Sequence, residues 1–397
     1  MELSRRVQAI KPSPTLAVTA RAAALKATGR DIIGLGAGEP DFDTPQHIKD
    51  AAIAAINAGF TKYTAVDGTP GLKAAVIAKF KRDNGLDYTP KQILVSCGGK
   101  QSFFNLVQAV VNAGDEVIIP APYWVSYPDI VILADGCPVI VEAGIEQGFK
   151  ITPAQLEAAI TPKTRLFVIN SPSNPTGAVY TRDELAALGE VLRKHPQVLI
   201  ASDDMYEHIR LNDVPFVNIL NVCPDLYDRT LVLNGVSKAY SMTGWRIGYA
   251  AGPESILRAM TNVQSQSTSN ATSISQMAAE AALNGDQGCI TPMLDAFKTR
   301  HRYVVDALNA IPGFHCVDSG GAFYAFPDVR PAIMNLLARD IIEEPTDIAF
   351  SEYLLESADV AVVPGSAFGA EGYIRLSFAT SQANLEKAIK RIVAALA

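Results

Sequence analysis

Short apolar runs alternate with helical segments between residues 93 and 243. The runs are rich in aliphatic side chains with little polar alternation, which is typical of strands buried on both faces. Thr152 with Gln155, and Thr181 with Glu184, have the spacing of capping boxes that open helices. Alternating strands and helices predict an α/β fold with a largely parallel, doubly covered sheet. The predicted strands are residues 93–96, 116–120, 138–141, 165–170, 198–202 and 230–233.

The flanking regions have a different pattern. Thr44 and Pro45 have the signature of a helix start, with Thr44 as the N-cap and Pro45 at the first helical position. Residues 264–275 are polar and interrupt a long helix, which favours an interface or a pocket wall. Past residue 290, helices alternate with strand-like runs, so this region predicts a second, smaller α+β domain. The other predicted elements are helices at residues 51–57 and 72–82 and from about 290, and strands at 317–326, 360–365 and 373–378.

Composition and charge narrow the functional class. The chain has 397 residues, 48% hydrophobic and 19% charged, with a formal net charge of -7 and no basic run. Nucleic acid and anionic membranes are therefore not expected as partners. The five cysteines are scattered and the five histidines lack ligand spacing, so neither a disulfide framework nor a metal site is predicted. Without an apolar leader or spanning run, we expect a soluble cytoplasmic protein.

Polar or aromatic side chains follow five of the predicted strands. In an open α/β sheet, ligands bind outside the carboxyl ends of the strands. A cap, a turn or a core position would explain each of these residues singly, but together they predict one shared pocket. Asp203 is the most telling, because a carboxylate that ends a buried strand is costly unless a cation or a protonated ring nitrogen pairs with it. The residues are Gly99, Lys100, Trp124, Asn174, Asp203, Tyr206, Ser237 and Lys238.

Residues 237–249 read Ser-Lys-Ala-Tyr-Ser-Met-Thr-Gly-Trp-Arg-Ile-Gly-Tyr and are too rich in Gly, Ser and Thr for an ordinary helix or central strand. A desolvated lysine such as Lys238 loses its proton readily and attacks carbonyl carbons to form a Schiff base. Arg246 offers a planar fork for phosphate, and Ser237 with nearby backbone N–H groups completes an anion cup. A solvated surface lysine remains the alternative for Lys238.

Three further positions carry candidate chemistry. Gly38 lies in the Gly-rich turn of residues 34–43, which either brings backbone close to a ligand or only needs an unusual φ. Tyr63 lies in a polar loop, where a lone tyrosine is usually a surface aromatic. Arg375 sits mid-strand between apolar neighbours and so needs an anion. That anion is either a structural carboxylate or a substrate carboxylate.

Residues 237–249, with Asn-Pro-Thr-Gly at 174–177, Asp-Asp-Met-Tyr at 203–206 and Arg375, closely resemble the class I pyridoxal-phosphate-dependent aminotransferases of fold type I. The match runs from about Lys11 to the C-terminus in family-like order and spacing. The resemblance implies a large domain, with a mostly parallel seven-stranded sheet between helices, plus a smaller α+β domain. We place the large domain at residues 49–289, and the small domain at 1–48 and 290–397.

The resemblance also implies the cofactor, pyridoxal 5'-phosphate, and a homodimer with shared active sites. Lys238, Asp203 and Tyr206 take catalytic roles: Lys238 holds the cofactor covalently and Asp203 pairs with its ring nitrogen. The implied cofactor contacts are Trp124 on the ring, Tyr206 and Asn174 at the phenolic oxygen, Gly99, Lys100, Ser237 and Arg246 at the phosphate, and Tyr63 from a second subunit. The implied substrate contacts are Arg375 at the α-carboxylate, with Gly38, Asn174 and Trp124 beside it.

Residues 11–19, 98–101, 122–127 and 203–208 resemble the bacterial aspartate aminotransferase subgroup, some of whose members also accept prephenate or aromatic amino acids. In that subgroup, Lys100 and a hydroxyl near Thr15 are candidates for the distal carboxylate, which competes with a phosphate-binding role for Lys100. Asp204 stands where many relatives carry Glu. The expected reaction is ping-pong transamination of aspartate with 2-oxoglutarate.

Other activities stay open at this point. They are a prephenate or aromatic aminotransferase, and a lyase that uses the same cofactor. A third is a regulator with an aminotransferase-like module, for which residues 1–10 are too few to form a DNA-binding extension.

Overall fold

A seven-stranded sheet forms the centre of the protein in this computed structural model, which describes residues 2–12 and 14–397. Its strand order is β2-β8-β7-β6-β5-β3-β4, and only β8 runs antiparallel to its neighbours. The mostly parallel sheet and all six predicted strands are thereby confirmed. The strands are β1 (Ile33–Gly34), β2 (Ile93–Ser96), β3 (Glu116–Ala121), β4 (Cys137–Glu142), β5 (Thr164–Asn170), β6 (Leu199–Asp203), β7 (Thr230–Gly235), β8 (Gly248–Ala251), β9 (Tyr324–Ala325), β10 (Val360–Ala361), β11 (Val363–Pro364) and β12 (Ile374–Ser377).

Helices cover both faces of this sheet. Along β7, Leu231 and Leu233 belong to one apolar cluster and Val232 to the other, which explains why the runs lack polar alternation. The helices are α1 (Arg5–Ala9), α2 (Pro14–Ala27), α3 (Gln46–Asn57), α4 (Pro70–Lys79), α5 (Gly99–Val110), α6 (Ser126–Leu133), α7 (Pro153–Ala159), α8 (Arg182–Lys194), α9 (Glu254–Ser265), α10 (Ser273–Asn284), α11 (Thr291–Asn309), α12 (Arg330–Ala338), α13 (Asp347–Ala358) and α14 (Gln382–Leu396).

Local start signals are mostly as predicted. The boxes at Thr152 and Thr181 cap α7 and α8. The predicted cap at Thr44 is wrong, because Pro45 occupies the N-cap position of α3 and no side chain caps that helix. Thr44 instead donates its hydroxyl to the carbonyl oxygen of Ser241 at 2.7 Å and accepts the indole N–H of Trp245 at 3.0 Å. The residue thus ties the start of α3 to residues 237–249.

The expectation that residues 237–249 contain no central strand is wrong at their end. Residues from Gly248 onward form β8, which lies between β2 and β7 and pairs with both. Glycine suits this position because a Cβ on Gly248 would lie 2.3 Å from the backbone nitrogen of Gly99. The tertiary approach of the turn before α5, and not strand propensity, selects the residue here.

A smaller three-stranded antiparallel sheet, in the order β11-β12-β9, carries Arg375 in its middle strand. A separate parallel pair joins β1 to β10, with Ile33 opposite Val360. The N-terminal segment therefore hydrogen-bonds to the C-terminal region, although the domain boundaries at residues 48 and 289 stay a prediction. No helix of residues 2–12 and 14–397 is long and apolar enough to cross a membrane.

The polar stretch of residues 264–275 spans the end of α9 and the start of α10. Gln264 is fully buried and donates its side-chain amide to the carbonyl oxygens of Val66 and Val95 at 2.7 and 2.8 Å. Thr268 borders a cavity of about 470 Å³. The stretch thus contributes both internal hydrogen bonds and a pocket wall.

Candidate active site

A cavity of about 430 Å³ opens where β5, β6 and β7 end. Twelve of the thirteen predicted site residues line it, and the exception is Tyr63, whose side chain is 91% exposed in the loop between α3 and α4. The lining residues that were predicted are Thr15, Gly38, Gly99, Lys100, Trp124, Asn174, Asp203, Tyr206, Ser237, Lys238, Arg246 and Arg375.

Lys238 follows β7 and projects its amine into this cavity. Its Nζ donates a hydrogen bond to the carbonyl oxygen of Gly38 and lies 5.7 Å from the ring centre of Tyr206. Burial, with the positive charges of Arg375 and Arg246, lowers the pKa of Lys238 to about 8. A substantial fraction of the amine is therefore neutral near physiological pH, as a nucleophile or general base requires.

Asp203 is the last residue of β6 and places its carboxylate in the same cavity. Tyr127 donates its hydroxyl to Oδ2 at 2.5 Å, and the backbone N–H of Met205 donates to Oδ1 at 3.3 Å. Burial raises the pKa of Asp203, while these two donors and Lys238 act in the opposite direction. Such a carboxylate gains most from a cationic group brought into the cavity.

An anion cradle lies where α5 begins. The first N–H groups of a helix have no partner within it, and the helix dipole adds positive potential there. Arg246 reaches this turn closely enough that a Cβ on Gly98 would lie 2.3 Å from its Nη2. Its guanidinium also donates from Nη1 to the carbonyl oxygen of Thr243 at 2.8 Å. With Ser237 on the same wall, the arrangement suits a phosphate group.

Arg375 is 2% exposed and held in one orientation. It donates from Nη1 to Oδ1 of Asn174 at 2.8 Å and from Nη2 to the carbonyl oxygen of Gly36 at 2.7 Å. The guanidinium carbon lies 4.4 Å from the ring centre of Tyr324 and 4.9 Å from that of Phe368. Among the described residues, its buried Nε has no hydrogen-bond partner.

The surroundings of Arg375 distinguish between a structural ion pair and a ligand-binding role. In the part of the chain that the structure describes, no ion pair involves Arg375, and its neighbours are an amide, a carbonyl and two rings. Burial accordingly lowers its pKa. A buried guanidinium without a carboxylate partner favours an anionic ligand over a structural ion pair.

Lys100 and Tyr206 complete the polar lining. The Nζ of Lys100 lies 5.3 Å from the ring centre of Trp124, and burial, together with Arg246, lowers the pKa of Lys100. Tyr206 shares a 2.8 Å hydrogen bond with the hydroxyl of Tyr324. Burial is the main cause that raises the pKa of Tyr206. Both side chains are thus held at the cavity wall.

Several lining residues were missed in the sequence. Tyr127 and Tyr324 bind the predicted residues Asp203 and Tyr206 directly, and Asn170 and Glu39 also border the cavity. A signal existed for Tyr127, which lies three residues after Trp124 in a segment already placed at a strand end. Tyr324 and Glu39 depend on how the two parts of the chain fold together, which no local spacing reveals.

The partly buried Lys238 amine and Asp203 carboxylate face an anion cradle across one cavity. Residues 30–392 match the family "Aminotransferase class I and II". The chain therefore belongs to the class I and II aminotransferases.

Individual relatives sharpen this assignment. The chain is 68% identical over 396 residues to the aspartate/prephenate aminotransferase of Nitrosomonas europaea, with 100% of both chains covered. The aspartate aminotransferase of Rhizobium meliloti superposes with a TM-score of 0.94 at 49% identity, covering 100% of this chain and 99% of that one. That of Thermus thermophilus with maleate gives 0.93 at 44% identity, with 100% of both chains covered.

Proposed function

We propose that this aminotransferase transfers the amino group of aspartate to 2-oxoglutarate, with pyridoxal 5'-phosphate as its cofactor. One observation carries the proposal: Lys100, Arg246 and Arg375 line the same cavity as Lys238 and Asp203. Three cations match three anions, namely a phosphate and the two carboxylates of a dicarboxylic substrate. The names of the relatives support the same substrate class.

The residues fit the cofactor by their chemistry. The start of α5, Ser237 and Arg246 hold its phosphate, and Trp124 provides a flat face for its ring. Asp203 pairs with its ring nitrogen, because burial raises the pKa of this carboxyl and a cationic neighbour offsets the cost of burying its charged form. Tyr206 and Asn174 bind its phenolic oxygen, and Lys238 attaches it covalently.

When bound, pyridoxal phosphate supplies a ring that withdraws electron density from the substrate Cα. Arg375 holds the α-carboxylate through donors that include its unpaired Nε, beside Gly38 and Asn174. Once the substrate amine has displaced Lys238 from the cofactor, the freed Nζ takes the proton from Cα as a base. It then delivers the proton as an acid to the cofactor carbon that Lys238 had occupied, for which a pKa of about 8 is suited. The donor leaves as a 2-oxo acid before the acceptor binds, so we expect ping-pong kinetics.

Lys100 is assigned to the distal carboxylate, with the Thr15 hydroxyl near it. The Nζ of Lys100 lies over the Trp124 ring, and burial lowers the pKa of this lysine. An incoming carboxylate therefore offsets the unfavourable desolvation of its ammonium group.

Prephenate is the second candidate amino acceptor. A cavity of about 470 Å³ shares Lys100 and Arg246 with the first cavity, is also lined by Lys11 and by apolar side chains such as Phe104, and offers room for a bulkier carboxylate-bearing group.

A half-reaction screen tests the substrate class. The purified holoenzyme is mixed with single amino acids or oxo acids, and the visible absorbance of the cofactor is followed. We expect aspartate and glutamate to react at least about tenfold more efficiently than alanine, since a charged hydrogen bond contributes about 1.5–3 kcal/mol. Lys100→Met should remove that preference and leave alanine nearly unaffected. If no dicarboxylate reacts in the wild type, the proposal fails; prephenate is screened in parallel.

We also propose a cytoplasmic homodimer. The five cysteines are all free, as a reducing compartment requires. Tyr63 and the nearby Ile53, Ile56 and Phe60 are exposed by 91%, 52%, 49% and 38%, which is an apolar surface that a second copy would cover. In the proposal, Tyr63 reaches the phosphate cradle of the partner subunit.

Sedimentation velocity should give twice the 42.4 kDa chain mass. Tyr63→Ala should weaken cofactor affinity about tenfold, as the loss of one hydrogen bond to a charged group does. Val214→Ala, at another exposed side chain, should have no such effect. A monomeric mass, or equal cofactor affinity in both variants, would contradict the shared site.

A further inference from the structure

A buried carboxylate follows Tyr206 directly but lies outside the cavity. Glu207 is 4% exposed and makes an ion pair with the ammonium of Lys79, which is fully buried. Burial alone would raise the pKa of Glu207, but Lys79, His208 and the Asn84 amide hold it below its ordinary value. The side chain is therefore ionised at neutral pH.

Two amides from different parts of the fold bind this carboxylate. Asn84, the last residue of the π-helical segment that continues α4, donates from Nδ2 to Oε2 at 2.8 Å, and its Oδ1 accepts from Lys79 at 2.7 Å. Asn234 of β7 donates from Nδ2 to Oε1 at 2.7 Å, and its Oδ1 accepts the backbone N–H of Gly235 at 2.7 Å. Each carboxylate oxygen of Glu207 thus accepts a hydrogen bond from an amide.

The bond to Asn234 lies where β6 and β7 stop pairing with each other. The ladder between β6 and β7 ends at the pair Asp203 and Leu233, and one further backbone bond joins Asp204 N–H to the carbonyl oxygen of Leu233 at 2.9 Å. Beyond it, the segment that carries Tyr206 leaves the sheet, whereas β7 stays paired with β8 through Asn234 and Gly235 before the chain reaches Lys238. Glu207 and Asn234 connect that segment to β7 through side chains instead.

The same region has the composition of a metal site. Asp83, Glu207 and His208 offer ligand atoms within 4.8 Å of one another. The Lys79 ammonium contacts Glu207 and lies 3.9 Å from Asp83, and Arg82 donates to Asp83 at 2.7 Å. These carboxylates already have their cations, so the cluster serves the fold.

We propose that Glu207 is a positioning residue for Lys238 and Tyr206. Its carboxylate, which pairs with the Lys79 ammonium, holds Asn234 and hence the chain that leads into Lys238. The bond keeps the Lys238 amine at its 5.7 Å distance from the Tyr206 ring. Displacements of about 1 Å in such a site cost about a hundredfold in rate.

The test separates positioning from stability. In Lys79→Met/Glu207→Met, both buried charges and the hydrogen bonds that Asn84 and Asn234 donate to Glu207 are removed together. We expect a lower thermal midpoint, because the two buried amides lose their acceptor, together with a kcat lower by about ten- to hundredfold and little change in KM. The pH midpoint of the visible cofactor absorbance, which reports on the surroundings of Lys238, should also shift.

Asn84→Ala is the matched control, because it removes the Asn84 hydrogen bond to Glu207 and leaves the hydrogen bond between Asn234 and Glu207 intact. We expect its kcat and absorbance midpoint to stay near wild type, even if its thermal midpoint falls. A folded Lys79→Met/Glu207→Met variant with wild-type kcat and absorbance midpoint would overturn the proposal.

A second pair keeps the test decisive if the methionine variant does not fold. Asn234→Asp sets two carboxylates against each other and should lower kcat, whereas Glu207→Gln/Asn234→Asp re-forms the bond with donor and acceptor exchanged. We expect the exchange to restore kcat by at least about tenfold, and no recovery would also overturn the proposal. The inference rests on the proposed roles of Lys238 and Tyr206, which fail separately if Lys238→Ala retains turnover.

Discussion

Lys238→Ala is expected to fold normally and to lose turnover by at least about 10³-fold, because one amine both attaches the cofactor and moves the Cα proton. The fold should tolerate the change, since removing the lysine side chain deprives only the Gly38 carbonyl oxygen of a hydrogen-bond donor. It also removes the unfavourable desolvation of the amine, which is what lowers the lysine pKa. Steady-state kcat, with circular dichroism and the thermal midpoint, measures both halves of this expectation.

Lys238→Arg serves as the control for charge. Arginine keeps the positive charge and the chain length but does not release its proton at any physiological pH, so it should be as inactive as alanine. If either variant turned over within tenfold of wild type, Lys238 would not be the reacting amine, and the function proposed for this chain would have to be abandoned.

Arg375→Lys should raise the KM for aspartate by about a hundredfold with a smaller change in kcat. Lysine keeps the charge but not the planar fork, which in this site holds Asn174 and Gly36 and leaves Nε for the ligand. A loss of this size is typical when a buried, charge-assisted hydrogen bond is broken. Initial-rate kinetics with aspartate and the inhibition constant of maleate provide the measurement.

The thermal midpoint distinguishes a ligand role for Arg375 from a structural one. If the arginine only supported the fold, Arg375→Lys would lower the thermal midpoint and leave KM and the maleate constant unchanged. If it binds the α-carboxylate, the thermal midpoint of wild type should rise on adding maleate, while that of the variant should rise much less.

The sequence predicted the sheet well because continuous apolar runs have few alternatives once helices separate them. The burial of Arg375 was likewise predictable, since its strand neighbours Ile374 and Leu376 are apolar. The strand β8 was not predicted because its one glycine, Gly248, is selected by the approach of the turn at Gly99, which is far away in the chain.

The residues of the candidate site likewise fall into two groups, those that local sequence position predicts and those that only the folded chain brings together. Residues at strand ends, such as Asp203 and Lys238, could be gathered from sequence because parallel strands bring their carboxyl ends together. Tyr127 could have been included on the same ground, but Tyr324 could not, since it is defined by the Tyr206 hydroxyl that it meets in the folded chain. Glu207 belongs with Tyr324, as its importance appears only when Asn84 and Asn234 converge on it.

The short backbone segment just after β1 holds both reactive cations at once. The carbonyl oxygen of Gly36 accepts from Arg375, and that of Gly38, two residues on, accepts from Lys238. A ligand that draws Arg375 away from Gly36 therefore acts on the same three-residue segment that fixes the Lys238 amine. Occupancy of the carboxylate site and freedom of the amine are linked equilibria, and each must change the free energy of the other by the same amount.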